Sequence, residues 1–341
     1  MYILAFETSC DDTSVALMKD GALISMSTKT QLEHDITGWV VPEVAARSHA
    51  NAIFPCIEEV LHDSGLKIED IDVIACTEKP WLLPSLLTGL TVAKTLSLSL
   101  GKPLILVDHI ESHMFANLLD RDESEFSFPA VVLTVSGGHT EIYHWKDLFT
   151  FEILWQTRDD AAGECFDKVA KMLGLGFPGW AKIAKLAWEY RMSQWFDPDK
   201  KNRLFPVVLL EKDSLDFSFS GLKSAVKREI DERKMKCFWE DSLSHPEIMI
   251  SENDMREISF EVEESITDIL SIKLIRAFES MKAEMMCLAG WVSANTILKE
   301  KLEKYSREKW IHFLSPKKIL YSMDNAAMVG IRAYYQLKNL V

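Results

Sequence analysis

The apolar positions of this chain fall into short runs separated by polar turns, and the same arrangement opens both halves. Residues 2–7 and 14–18 read as two strands around the turn Thr8-Ser9-Cys10-Asp11-Asp12-Thr13. Residues 130–135 and 140–145 repeat the design around Ser136-Gly137-Gly138-His139. Between them, residues 42–64 place Val44, Ile53, Ile57, Val60 and Leu61 on one side of a predicted helix. Strands are predicted at 71–77 and 104–107, a buried helix at 84–100, and a helical segment from His109. The second half continues with helices at 160–173, 180–193 and 256–284 and a strand at 286–289. Strands interleaved with helices predict an α/β protein, and the paired hairpins suggest duplicated lobes around a ligand cleft. Residues 120–127 read as a linker between the lobes, and the aperiodic stretch 234–254 as an inserted loop.

Composition narrows the setting. A chain of 341 residues, 48% hydrophobic and 26% charged, has ample material for two globular lobes. The net charge of −14 opposes nucleic acid overall, so any RNA contact needs a local basic patch or a partner. Six cysteines without a CxxC pair favour reduced thiols over disulfides or a zinc ribbon. Residues 1–6 lack the basic start and length of a secretory signal, and Pro84 and Lys94 interrupt the longest apolar stretch. A soluble cytoplasmic protein with no membrane span is expected.

Several segments carry chemistry. His109 and His113 stand at i and i+4, on one helical face, a spacing that chelates a divalent ion. Glu111 is at the wrong position for a zincin motif. Asp324 can serve as a third ligand or as the N-cap of the helix after it. The Gly137-Gly138 pair at a strand's end leaves backbone N–H groups open to a phosphate or acyl phosphate, and His139 stands beside them. Asp11 and Asp12 fit an ordinary turn as well as a cation or phosphate site. Glu164 and Asp167 fit helical salt bridges with Lys168 and Lys171. The run Lys223, Lys227, Arg228, Arg233, Lys234 and Lys236 reads as a solvated helix face, with RNA contact as the alternative.

Together, Phe6 through Ser14, Val41 through His49, Asp108 through His113, Val135 through Thr140, Asp159 through Ala170, Phe217 through Lys223 and Asp324 through Met328 occur in one order across nearly the whole chain. The set resembles the TsaD family, the tRNA N6-adenosine threonylcarbamoyltransferases, in its bacterial form. The resemblance implies an actin-like ATPase (ASKHA) fold of two lobes, each a mixed sheet flanked by helices. Lobe one would span 1–125 and be completed by 300–341; lobe two would span 126–299. It implies transfer of a threonylcarbamoyl group from threonylcarbamoyl-AMP to N6 of adenosine 37 in tRNAs reading ANN codons. His109, His113 and Asp324 would hold one Fe²⁺ or Zn²⁺. Thr134, Val135, Ser136, Gly137, Gly138, Asp167, Trp180 and Asn295 would line the substrate site, with Asp11 and His139 as catalytic groups. A TsaB-like heterodimer partner, a TsaE-like ATPase and a TsaC-like enzyme making the activated intermediate are implied as well.

The chain departs from the resemblance at five places where the family has glycine: Trp39, Trp81, Trp155, Trp180 and Trp291. Lys79 replaces a sixth family glycine. Convergence on a single residue type suggests UGA codons decoded as glycine, since UGA is one base from GGA. A pseudoenzyme or scaffold with a plugged cleft is the rival. An ATPase or phosphotransferase on the same fold, working without the histidines, is the alternative activity, and a metallopeptidase is disfavoured by the absence of HExxH.

Overall fold

The computed structural model describes residues 1–31, 34, 40–176, 178–197, 203–205, 207, 214–240 and 250–339, with backbone only at 236–240. In chain order the first lobe contains β1 (Tyr2–Glu7), β2 (Asp12–Lys19), β3 (Ala22–Thr30), α1 (Pro42–Ser64), β4 (Val73–Lys79), α2 (Leu83–Leu100), β5 (Leu104–Asp108) and α3 (His109–Phe115). The second contains β6 (Ala130–Val135), β7 (Thr140–Asp147), β8 (Thr150–Gln156), α4 (Ala162–Met172), α5 (Gly179–Arg191), α6 (Ser220–Glu240), α7 (Glu252–Met281), β9 (Met285–Ala289), α8 (Thr296–Lys309) and β10 (His312–Leu314). The short α9 (Ile319–Ser322) and α10 (Ala326–Lys338) follow.

The two sheets have one topology. In the first the order is β3-β2-β1-β4-β5; in the second it is β8-β7-β6-β9-β10. In each, the opening strand pairs antiparallel with the next and parallel with the fourth. The outer pairs match too, antiparallel on the hairpin side and parallel on the other. This duplicated mixed sheet flanked by helices is the expected actin-like architecture, and it puts the β1–β2 and β6–β7 turns in equivalent positions.

Strand alternation divides β1 between two cores. Leu4 and Phe6 join Val15 and Leu17 under α1 and α2. Ile3 and Ala5 join Ala16, Met18 and residues of α3 and α10 in a core that continues into Ala130, Val132, Trp145 and Cys287 of the second lobe. The helices α3 and α10 are thus packed where the two sheets approach each other. At about 1.5–3 kcal/mol for each large apolar side chain removed from water, this shared core helps hold the cleft walls in place.

Several expectations need correction. Residues 300–341 do not all belong with the first lobe: β10 pairs with β9 in the second sheet, and α10 is the part that packs on the first. The stretch 234–254 does not begin as a loop, because α6 runs to Glu240 and α7 starts at Glu252; residues 241–249 lie outside those described. The helix expected to be buried at 84–100 is buried along one side only. Leu83, Leu87 and Leu98 are exposed, and α2 is the one helix among the described residues long and apolar enough to cross a membrane.

Candidate metal centre and adjoining cleft

The helix α3 starts where it does because Asp108 caps it. Its carboxylate accepts from the N–H groups of Ile110 (2.8 Å) and Glu111 (3.2 Å). Every residue of α3 except Glu111 is buried, so both histidines are carried into the shared core. Their rings meet edge to face with centroids 4.7 Å apart. The third member arrives from 211 residues away. Asn325, not Asp324, caps α10: its Oδ1 accepts from Met328 N–H (3.0 Å), while its Nδ2 donates to the carbonyls of Leu320 (3.1 Å) and Met323 (2.7 Å). That turn leaves the Asp324 carboxylate to face the imidazoles, with Oδ1 3.1 Å from His113 Nε2 and 3.6 Å from His109 Nε2.

These separations suit a shared ion. Four donors around one ion at ~2.0–2.1 Å stand about 3.3 Å from one another. His109 Nε2 is buried with no hydrogen-bond partner among the described residues, as suits a metal-directed nitrogen. His109 Nδ1–H meanwhile donates to Glu7 Oε2 (3.1 Å), with Ser9 Oγ 3.2 Å away, which fixes the tautomer that presents Nε2. His109, His113 and Asp324 therefore form a group able to hold one divalent metal ion.

The electrostatics agree. Burial opposes charge on His109, but Asp324 and Glu7 outweigh it and push its pKa up to about 9. For Glu7 and Asp324 burial likewise opposes ionisation, yet His109 above all holds both below the usual carboxylate range. Burial holds His113 below the usual imidazole value despite Asp324. Two carboxylates in a dry site demand positive charge, which a proton or a metal ion supplies.

Across from this group is the β6–β7 turn. Ser136 N–H donates to the His139 carbonyl (2.8 Å), and His139 N–H to Ser136 Oγ (3.3 Å), closing a tight loop on Gly137 and Gly138. Thr134 and Val135 are fully buried, and Thr134 Oγ1 has no hydrogen-bond partner among the described residues. Burial pushes His139 down to about 4, so its imidazole is neutral near pH 7. Two indoles crowd this turn, and a third stands against one of them. The Trp81 ring stands 5.2 Å from His139, edge on, and lies against Gly138 so closely that a Cβ there would be 2.2 Å from it. The Trp291 ring lies against Gly137 and Gly163 and 5.4 Å from Trp180.

The remaining expected site residues divide. Burial, then Asp324, raises the Asp11 carboxyl, and burial pushes Asp12 up to about 7. Asp167 accepts from Gly179 N–H (2.7 Å) rather than bridging to a lysine. Burial brings it to about 6, and Asp11, in the opposite lobe, adds to the shift. Asn295 Oδ1 caps α8 at Leu298 N–H (2.9 Å), and its Nδ2 donates to buried Glu263 (2.8 Å). Glu164 makes the expected i,i+4 pair with Lys168 (2.8 Å). In the basic run, Lys223 is tied to Asp160 (2.7 Å), while Arg233 pairs with Glu229, Asp254 and Glu257. Glu7 and Ser9 were not among the expected site residues; a lone acid ending the apolar run of β1 was the available signal.

A sequence model described as TsaD, tRNA N6-adenosine threonylcarbamoyltransferase, matches residues 22–331. The chain belongs to the TsaD family. A Clostridium perfringens protein named tRNA N6-adenosine threonylcarbamoyltransferase is 42% identical over 337 residues, covering 98% of this chain and 92% of its own. A Staphylococcus carnosus protein of the same name is 41% identical over 335 residues, covering 98% and 90%. Among solved structures, YeaZ from Pseudomonas aeruginosa aligns with a TM-score of 0.32 at 17% identity, covering 45% of this chain and 63% of its own. The TsaD relatives are matched along almost their whole length, so the converging histidines and the paired-glycine turn both lie inside the family region.

Proposed function

We propose that this chain transfers the threonylcarbamoyl group of threonylcarbamoyl-AMP to N6 of adenosine 37 in tRNAs reading ANN codons. The observation that carries the reading is the convergence of His109, His113 and Asp324 in a chain that aligns with TsaD relatives over 98% of its length. In the transfer, the carbonyl–oxygen bond of the mixed anhydride breaks and a bond from that carbonyl carbon to N6 forms. AMP leaves with the electron pair, and N6 loses a proton. Imidazole and carboxylate donors suit Fe²⁺ or Zn²⁺, and such an ion, when bound, polarises carbamoyl or phosphate oxygens as a Lewis acid.

The chain's own residues supply position. Glu7 holds the His109 tautomer, and Asp108 holds the helix that presents both imidazoles. The Ser136-Gly137-Gly138 backbone is the anion cradle in this reading, with Thr134 and Val135 behind it and Asp167 at its rim. Neutral His139 serves as a polar contact to the reacting group. Asp11 is the essential carboxylate and, with its pKa raised by burial, suits proton acceptance. Adenine N6 is a weak nucleophile, so orientation matters as much as base strength.

The reading includes a TsaB-like heterodimer partner, a TsaE-like ATPase, an upstream TsaC-like enzyme and a cytoplasmic location. Exposed Phe54, Leu83 and Leu87 on neighbouring α1 and α2, beside a groove of 380 Å³ that Phe54 and Leu87 line, favour a covering protein partner. The test is incorporation of labelled threonine into tRNA by the chain with these partners. Incorporation abolished by a chelator or by His113→Ala supports the proposal. Incorporation unaffected by both removes it. A second reading, an inactive scaffold, is favoured by one observation: Trp81 and Trp291 stand where the cradle would receive its anion.

A further inference from the structure

We infer that the native residue at positions 81, 180, 291 and 310 is glycine, written as tryptophan because UGA codons in this gene specify glycine, and that the protein so made has an open anion cradle between its lobes. The inference rests on backbone, space and composition, independently of the reaction proposed above.

Backbone conformation marks two of the sites. Trp81 has φ 125° and Trp310 has φ 58°. The first lies beyond even the left-handed helical region that side-chain-bearing residues enter. The second is the left-handed C-cap of α8, its N–H donating to the Ser306 carbonyl. Three other described helices end the same way, α1 at Gly65 (φ 69°), α2 at Gly101 (φ 63°) and α7 at Lys282 (φ 51°), two of the three on glycine, as its lack of a Cβ favours. Trp310 is 95% exposed, so no packing offsets an indole placed there.

Space marks the other two, and Trp81 again. The Trp81 ring rests on Gly138, and the Trp291 ring on Gly137 and Gly163, with Trp180 against Trp291. These three glycines leave room for a close approach to backbone, and the room is taken up by indoles that themselves replace small residues on the resemblance. Composition points the same way. The chain has 14 glycines, about 4% of it; the four reassigned positions bring these to 18, about 5%, nearer the ordinary glycine share of about 7%.

The structure also says which tryptophan is real. Trp145 is fully buried among Phe115, Phe126 and Phe128 at centroid distances of 5.2, 6.1 and 5.4 Å, and glycine there would leave a cavity in the shared core. Trp155, in the extended backbone of β8, has no such mark either way, and Trp39 lies outside the described residues.

Peptide mass spectrometry of the protein purified from its native cells tests the assignment. The expected result is glycine at 81, 180, 291 and 310 and tryptophan at 145. Tryptophan at 81 and 310 overturns it, whatever the enzyme's activity. The cleft is tested with AMP as probe, by calorimetry on the chain as written and on a chain carrying Trp81→Gly, Trp180→Gly and Trp291→Gly. Affinity higher by about tenfold or more in the glycine form is expected. Equal affinity in two folded proteins means the indoles do not occupy the anion site and overturns the open cradle.

Discussion

Glu7 Oε2 lies 3.1 Å from His109 Nδ1, although 102 residues separate them, and this contact decides which nitrogen of His109 faces Asp324. The carboxylate is itself held: Ser9 N–H donates to Oε1 (2.6 Å) and Thr77 Oγ1 to Oε2 (2.6 Å). Glu7 is thus a positioning residue for the metal group. Glu7→Gln should weaken metal binding by about 10–100-fold while leaving the chain folded, since the amide keeps the shape but loses the charge. Chelator competition on the purified protein measures it; unchanged affinity would show that the tautomer is set elsewhere.

Removing a ligand should act more strongly than removing its support. His113→Ala and Asp324→Asn should each take the bound metal from about one ion per chain to none after dialysis, because two remaining donors seldom retain an ion. Elemental analysis gives the count. Asp324→Asn is the sharper of the two, since the Asn325 cap that shapes the turn stays intact.

Trp310→Gly should raise stability by about 1–2 kcal/mol, the cost of a side chain in the left-handed region. An exposed indole loses no packing on removal. Urea denaturation of the two forms, at matched pH, gives the difference from the midpoints. A decrease would show that the indole makes a stabilising contact.

Asp167 should make stability depend on pH. Its carboxyl titrates at about 6 when folded, against an ordinary value of 3.8, chiefly because of burial. The folded state therefore binds the proton more tightly than the unfolded one. Its contribution is fully present below about pH 4 and is lost as pH rises through 6, by about 2–3 kcal/mol in all. Asp167→Asn should flatten this part of the profile between pH 4 and 7, as read from denaturation midpoints.

Much of this architecture is legible in the residues. Apolar runs around turns mark β1–β2 and β6–β7, and the spacing of His109 and His113 marks a chelating face. The strands β3 and β8 escape because they are half exposed and their polar positions break the alternation. The helix α8 escapes for the opposite reason: it buries only Leu298, Leu302 and Ser306, too few positions to register as a stripe. Glu7 is invisible as a site residue because its partners come from β4 and α3, brought beside it by parallel pairing across the sheet. Asp324 and Asn325 are both plausible caps in the sequence. Only the folded turn separates the one that ends the helix from the one that faces the histidines.

The burial of α3 has a kinetic consequence. Six of its seven side chains are shut away from solvent, and of the three donors only Asp324 keeps any exposure, 14%. An ion seated there meets solvent only on the side of that carboxylate, so its exchange with bulk passes by Asp324 and not by the imidazoles.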